Sequence, residues 1–147
     1  MIQRLLVAAL LPFGSRALGA QVTVTPASVG TMTIVVPVAG SDVAAVTNTV
    51  GSYTVKTKPF DINTRIQGQL SAPLPAGMSL AVSLTAPTGG VSNGSVTLNA
   101  VTPVDLVTAI PNKTTSPSLA MTYTYLAPAA SGNATLTSIT VTYTLSP

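Results

Sequence analysis

The stretch Ala134 to Leu145, ATLTSITVTYTL, alternates apolar and hydroxyl side chains residue by residue. In an extended strand Ile139, Val141, Tyr143 and Leu145 fall on one face, with Ser138, Thr140, Thr142 and Thr144 on the other. Its β-branched and aromatic residues suit a pleated, half-buried surface. A lone strand with one apolar face is not stable in water, so the upstream chain must supply the sheets that cover this one.

Upstream the same period recurs. Ile62 to Leu70 sets Ile62, Thr64, Ile66, Gly68 and Leu70 against Asn63, Arg65, Gln67 and Gln69, and Met78 to Leu84 sets Met78, Leu80, Val82 and Leu84 against Ser79, Ala81 and Ser83. Between them Ala72 to Gly77 is turn chemistry, with Pro73 and Pro75 fixing φ and Gly77 tolerating positive φ, so the two runs are expected to join antiparallel. Ser52 to Thr57 reads as a strand with Tyr53 and Val55 inward and Lys56 outward, whereas Asp42 to Thr49 reads as a loop. Val96 to Val101, Asp105 to Ile110 and Ser118 to Leu126 follow as strands, the last grouping Leu119, Met121, Tyr123 and Tyr125. Gln21 to Thr25 and Thr31 to Val38 come first, and Pro37 makes the second of these an edge or a bend. About seven to nine short strands at this turn spacing, with no helical period, predict an all-β, immunoglobulin-like antiparallel β-sandwich. No repeat of fixed period suggests a solenoid or propeller.

Met1 to about Ala20 has the layout of a secretory signal peptide: Arg4, an apolar run from Leu5 to Phe13, and the small-residue exit Ala17-Leu-Gly-Ala20 before Gln21. The run is too short to span a bilayer, so no stable membrane span is expected once it is cleaved. Cleavage after Ala20 is expected, with Gly19 the alternative. Residues 21–147 then form a single domain, and 21–30 a detachable N-terminal strand.

Charge limits what such a domain can recognise. Only 6% of residues are charged, against roughly 25% in ordinary domains. Beyond residue 20, Lys56, Lys58, Arg65 and Lys113 stand against Asp42, Asp61 and Asp105, a net charge of +1. That is no footprint for nucleic acid, which needs clustered cations with aromatics for stacking. Without His, Cys or Glu the usual general bases, thiolate nucleophiles and imidazole ligands are missing. The three Asp are scattered without ligand spacing. No catalytic, cofactor-binding or metal site is predicted; the chain is not read as an enzyme and needs no cofactor.

Lys56, Lys58 and Arg65 could form a small positive strip, although solubilising charges that discourage edge pairing are the plainer reading. Tyr123 and Tyr125 share a face with Leu119 and Met121, which places them in the core or at the rim rather than on a sugar-stacking platform. Asn93-Gly-Ser95, Asn112-Lys-Thr114 and Asn133-Ala-Thr135 match the glycosylation sequon, as chance matches do in a chain rich in Asn and Thr.

An export signal, a Val/Thr strand directly after it, a Cys-free sandwich and a Tyr-containing closing strand together resemble secreted bacterial pilin-like and spore-coat-U-like surface domains. In subunits of that kind, the resemblance implies, an N-terminal extension completes the sheet of the next subunit. The assembly strand would be Val22, Thr23, Val24 and Thr25, and the closing strand Ile139, Val141, Tyr143 and Leu145. The expected role is a structural subunit of a secreted surface filament, pilus or coat whose partner is another copy of itself. The alternative is a monomeric cell-surface module binding a glycan or protein through Ala86 to Gly94 and Pro111 to Ser118. N-terminal sequencing of exported protein should start at Gln21 or within a residue or two; an intact Met1 on soluble cytoplasmic protein would end the export reading.

Overall fold

A computed structural model describes residues 21–25, 32–34, 45–128, 134–136 and 139–147. The expected signal segment 1–20, Pro26, Gly30, Pro37, Asp42 and Asn133 lie outside the described residues. The strands in chain order are β1 (Gln21–Thr25), β2 (Met32–Ile34), β3 (Val46–Lys56), β4 (Thr64–Leu70), β5 (Ser79–Leu84), β6 (Val91–Ser92), β7 (Ser95–Thr97), β8 (Val104–Ile110), β9 (Thr115–Leu126), β10 (Ala134–Leu136) and β11 (Val141–Ser146). No helix occurs among the described residues. The protein is an all-β antiparallel sandwich: one sheet in the order β1-β3-β9-β5-β7 packs on another in the order β11-β4-β8-β6, and β2 pairs with β10 as a separate ribbon.

Alternation sends one face of each strand between the sheets. Leu80, Val82 and Leu84 from β5 and Tyr123 and Tyr125 from β9 are buried there, as are Ile66 and Leu70 from β4 and Leu106 and Ile110 from β8. Gly68 holds its place on that inward face because a Cβ there would lie 2.8 Å from Leu106 Cδ1, closer than packed carbons approach. On β11, Val141, Tyr143 and Leu145 are partly buried against the core while Thr142, Thr144 and the preceding Thr140 are exposed, the facing that the alternation predicts. Thr64, fully buried, has a hydroxyl without a hydrogen-bond partner among the described residues.

Departures from the sequence pattern have local causes. Ile62 is 67% exposed although its parity puts it inward; Asn63 adopts φ 54° and ends the strand, so the count restarts at Thr64. β4 and β5 do not pair with each other, because the turn from Ala72 to Gly77 carries the chain from one sheet to the other. Gly77 there has φ +81°, the left-handed conformation expected of it. Residues 46–49, expected in a loop, open β3, where Val46, Thr47 and Asn48 pair with Tyr125, Thr124 and Tyr123. The Val96 to Val101 run ends early, since Asn99 Oδ1 accepts from the Val101 and Thr102 amides at 2.9 and 2.7 Å and turns the chain. The long C-terminal alternation is divided between β10 and β11, which pair with different partners.

Leu80→Ala should cost about 2–5 kcal/mol in urea unfolding, as for other large-to-small core changes. Thr140→Ala on the wet face should cost far less, and equal effects of the two would overturn the facing assignment.

Candidate functional site

Three features remain once the core is accounted for: two long sheet edges, a tyrosine pair between the sheets, and one end of the sandwich where the charges collect.

All of Val22, Thr23, Val24 and Thr25 lie in β1, and each residue of that strand pairs antiparallel with β3, from Gln21 with Lys56 to Thr25 with Ser52. β1 is thus the outer strand of its sheet, and β11 is the outer strand of the other, six residues long and paired only to β4. The two approach each other along one side of the sandwich. The opposite side ends in β7 and β6, of three and two residues. A strand's row of backbone donors and acceptors can template another strand only over its own length, so both long edges are on the β1/β11 side. Ile139, two residues before the first of β11, packs against the core together with Val141, Tyr143 and Leu145, so the predicted closing strand keeps its face on one sheet.

Behind this edge, Tyr123 of β9 and Tyr143 of β11 share a hydrogen bond of 2.7 Å between their hydroxyls, linking the two sheets. Burial pushes the Tyr143 phenol far up, helped by the Tyr123 charge and by the hydrogen bond. Burial also raises Tyr123, although the hydrogen bond from Tyr143 opposes it. Tyr53, whose hydroxyl donates to the Thr85 carbonyl, is pushed by burial up to about 12, and burial raises Tyr125, whose hydroxyl meets Met78 Sδ at 3.1 Å. Tyr123 and Tyr125 are therefore core residues and offer no face for sugar stacking.

At one end of the sandwich the 57–63 loop and the 111–114 turn are bound together. Thr57 Oγ1 donates to the Pro111 carbonyl at 2.7 Å and accepts from the Thr114 amide at 2.8 Å, and the Lys113 amide donates to the Lys58 carbonyl at 3.3 Å. Asn112 Nδ2 adds a bond to the Pro59 carbonyl at 2.8 Å. Lys56 closes β3, Lys58 lies in the 57–63 loop and Arg65 is the second residue of β4, so all three fall toward this end, but β3 and β4 belong to opposite sheets and the cations do not cross neighbouring strands. Lys113 joins them through the turn, a placement that only the register of β8 and β9 reveals. Arg65 reaches Asp105 at 3.6 Å, and Asp105 also accepts from Gln67 Nε2 at 2.8 Å. Asp61 accepts from the Lys58 amide at 2.6 Å. The loops Ala86 to Gly94 and Pro111 to Ser118 meet at this end, where a Cβ on Gly89 would stand 2.7 Å from Pro111 Cγ. A shallow, open depression of about 340 Å³, lined by Asn63, Arg65, Thr108, Ala109 and Pro147, lies beside them; it is too open to enclose a small ligand.

Two residues of this end carry no sequence signal for exposure. Phe60 is 93% exposed in the hydrogen-bonded 57–63 loop, and Ile62 is 67% exposed ahead of the φ 54° break at Asn63. Among the described residues no group of three or more His, Cys, Asp or Glu could hold a metal, and no helix is long and apolar enough to cross a membrane. The Asn93 and Asn112 sequons are exposed, with Asn93 Nδ2 donating to the Asp105 carbonyl at 2.9 Å.

No protein-family model, curated protein or solved structure matches this chain. The fold therefore defines the class, an all-β sandwich with two long edges on one side.

The tyrosines give a pH signature. Each phenol ionises near 10 in the unfolded chain and higher in the folded one, so above pH 10 the unfolded state binds fewer protons and stability falls. For Tyr53 the loss spans pH 10 to about 12. Urea midpoints should hold steady up to about pH 9.5 and drop beyond pH 10, with phenolate absorbance appearing together with unfolding. Tyr143→Phe should lessen the alkaline drop. Phenolate that forms near pH 10 in protein still folded would show that the hydroxyls are not buried.

Proposed function

We propose that this chain is a structural subunit of a secreted surface filament, pilus or coat that assembles by β-strand complementation. The observation that supports it most directly is the position of β1. It directly follows the leader-like segment, it forms an outer sheet edge, and all of its pairing is with one strand, β3. A copy of β1 from a neighbour could make the same antiparallel ladder with β3, so transfer between subunits need not lose a backbone hydrogen bond. Residues 26–31 join β1 to β2, and β2 is held by β10; about six residues reach ~20 Å when extended, enough to carry β1 over a subunit boundary with β2 in place. Repeating a head-to-tail contact of that kind builds a fibre instead of a closed ring. The partner is another copy of the chain at the cell surface or in secreted material, and neither nucleic acid nor a cofactor has a role.

A second reading, a monomeric surface module for a glycan or protein, is favoured by the meeting of the Ala86 to Gly94 and Pro111 to Ser118 loops at one end of the sandwich. Deleting Gln21 to Pro26 separates the two. If β1 is donated, the deletion leaves a folded monomer and abolishes polymers seen by electron microscopy and size exclusion. If β1 only caps its own sheet, the deletion lowers the unfolding midpoint and leaves the oligomeric state unchanged. Wild-type protein that stays monomeric at high concentration and in secreted material would overturn the filament and favour the module.

A further inference from the structure

The cation-bearing end of the sandwich has a composition that neither strand exchange nor core packing uses. Beyond residue 20 the chain holds only four Lys and Arg residues, and all four (Lys56, Lys58, Arg65 and Lys113) are brought to this end. The same end displays Phe60, the one Phe beyond residue 20, at 93% exposure and Ile62 at 67%. We propose that this end docks on an anionic lipid surface, with Phe60 and Ile62 entering the headgroup layer and Lys56, Lys58 and Lys113 meeting the lipid charges.

The exposure of Phe60 is built in. Its loop is pinned on both flanks, by Asn112 Nδ2 on the Pro59 carbonyl at 2.8 Å and by the Asp61 amide on the Lys58 carbonyl at 3.2 Å, and the Lys113 amide ties the same Lys58 carbonyl to the neighbouring turn. A pinned loop presents the ring without the ordering cost that a slack one would meet on binding.

Charge selects the partner. Asp105 is paired with Arg65 and bonded to Gln67, and Asp61 accepts from the Lys58 amide but keeps its charge, while Lys56, Lys58 and Lys113 form no ion pair among the described residues; four cations against these two carboxylates leave the end net positive. Among the described residues Asp61 and Asp105 are the acidic side chains, and two carboxylates already held by their neighbours make no acidic patch to receive this end of a second copy; an external anionic surface supplies the complementary charge. An anionic glycan would employ the lysines and could stack on Phe60, but it has no use for the exposed aliphatic Ile62. A lipid interface employs all of them, apolar tips below and cations at headgroup level. The contact is peripheral and independent of strand exchange along the β1/β11 side.

The test is cosedimentation of the exported protein with vesicles of phosphatidylglycerol and phosphatidylcholine in equal parts, against phosphatidylcholine alone. Variants are compared at a shared N-terminus so that any leader contribution cancels. Binding should require the anionic lipid and weaken as sodium chloride is raised. Phe60→Ser should weaken partitioning about tenfold, and Lys58→Gln and Lys113→Gln about fivefold each. Thermal unfolding should be unchanged in all of them, because the altered side chains lie at the surface; Ile62→Ser is the second apolar variant should Phe60→Ser not fold. Folded wild type that ignores anionic vesicles, binds phosphatidylcholine equally well, or binds as tightly after both apolar substitutions overturns the proposal. So does retention on polygalacturonate that survives Phe60→Ser while vesicle binding is absent, which assigns the end to a glycan.

Discussion

The sandwich depends on the contact between its sheets, because little else is available to hold it. The chain has no cysteine, and a single ion pair, Arg65 with Asp105, occurs among the described residues. Leu80, Val82 and Tyr125 from one sheet therefore meet Ile66, Leu106 and Val107 from the other without a covalent or strong electrostatic tie beneath them. At roughly 25 cal/mol per Å² of apolar surface removed from water, a core of this kind is worth enough to offset chain entropy only if its packing is close. That explains the intolerance at Gly68, where a single added methyl would collide with Leu106, and the absence of charged side chains from the buried set. Where polar groups do enter the interior they are mostly bonded to one another, as Tyr123 is to Tyr143 across the sheets and Thr57 to Pro111 and Thr114 across two loops.

Much of this was legible in the sequence wherever a run of alternation was uninterrupted. Leu80, Val82 and Leu84 are buried and Thr140, Thr142 and Thr144 exposed, as parity alone dictates. Legibility ended where the backbone changes hand or sheet. Asn63 at φ 54° resets the count without a glycine to announce it, so Ile62 turns outward, and an irregularity in the β4/β8 ladder, where Ile66 and Gln67 pair with Val107 and Asp105, leaves the adjacent Leu106 and Val107 both buried. A proline-rich turn signals a reversal but not whether the chain pairs back or crosses to the opposite sheet, and Ala72 to Gly77 crosses. Strand partners are likewise invisible to local pattern: the closing alternation reads as one strand, but β10 and β11 are claimed by β2 and β4. The cation end was half legible, since Lys56, Lys58 and Arg65 are near in sequence while Lys113 arrives through β-sheet register and Phe60 through loop hydrogen bonds.

The same scarcity of charge shapes the edges. A sheet edge is commonly protected by Lys or Glu pointing across it, by proline, or by brevity. On one side brevity suffices, since β6 and β7 are only two and three residues long. On the other side β1 and β11 are long, and β11 displays Thr142 and Thr144 where a protected edge would carry charge. Removing β1 would expose the stretch Ser52 to Lys56 of β3, whose other neighbour, β9, is already paired. A chain with so few charges has little means of blocking such an edge except by occupying it with a strand, its own or another's.

Geometry also keeps the two proposed surfaces apart. Pairing through β1 runs along the side of the sandwich, parallel to the strands, whereas Phe60, Ile62, Lys58 and Lys113 are carried on loops at the strand ends and Lys56 is the last residue of β3. A neighbour added along the β1 edge meets main-chain donors and acceptors and asks nothing of the loops; a lipid surface against the loops leaves the edge ladder untouched. The shared point is Gln21, which pairs with Lys56 where edge and end meet. Exchange of β1 would change which copy's Gln21 sits beside Lys56 but not the cations, the pinned loop or the exposed ring, so assembly and surface attachment can be altered separately by substitutions in β1 and in the 57–63 loop.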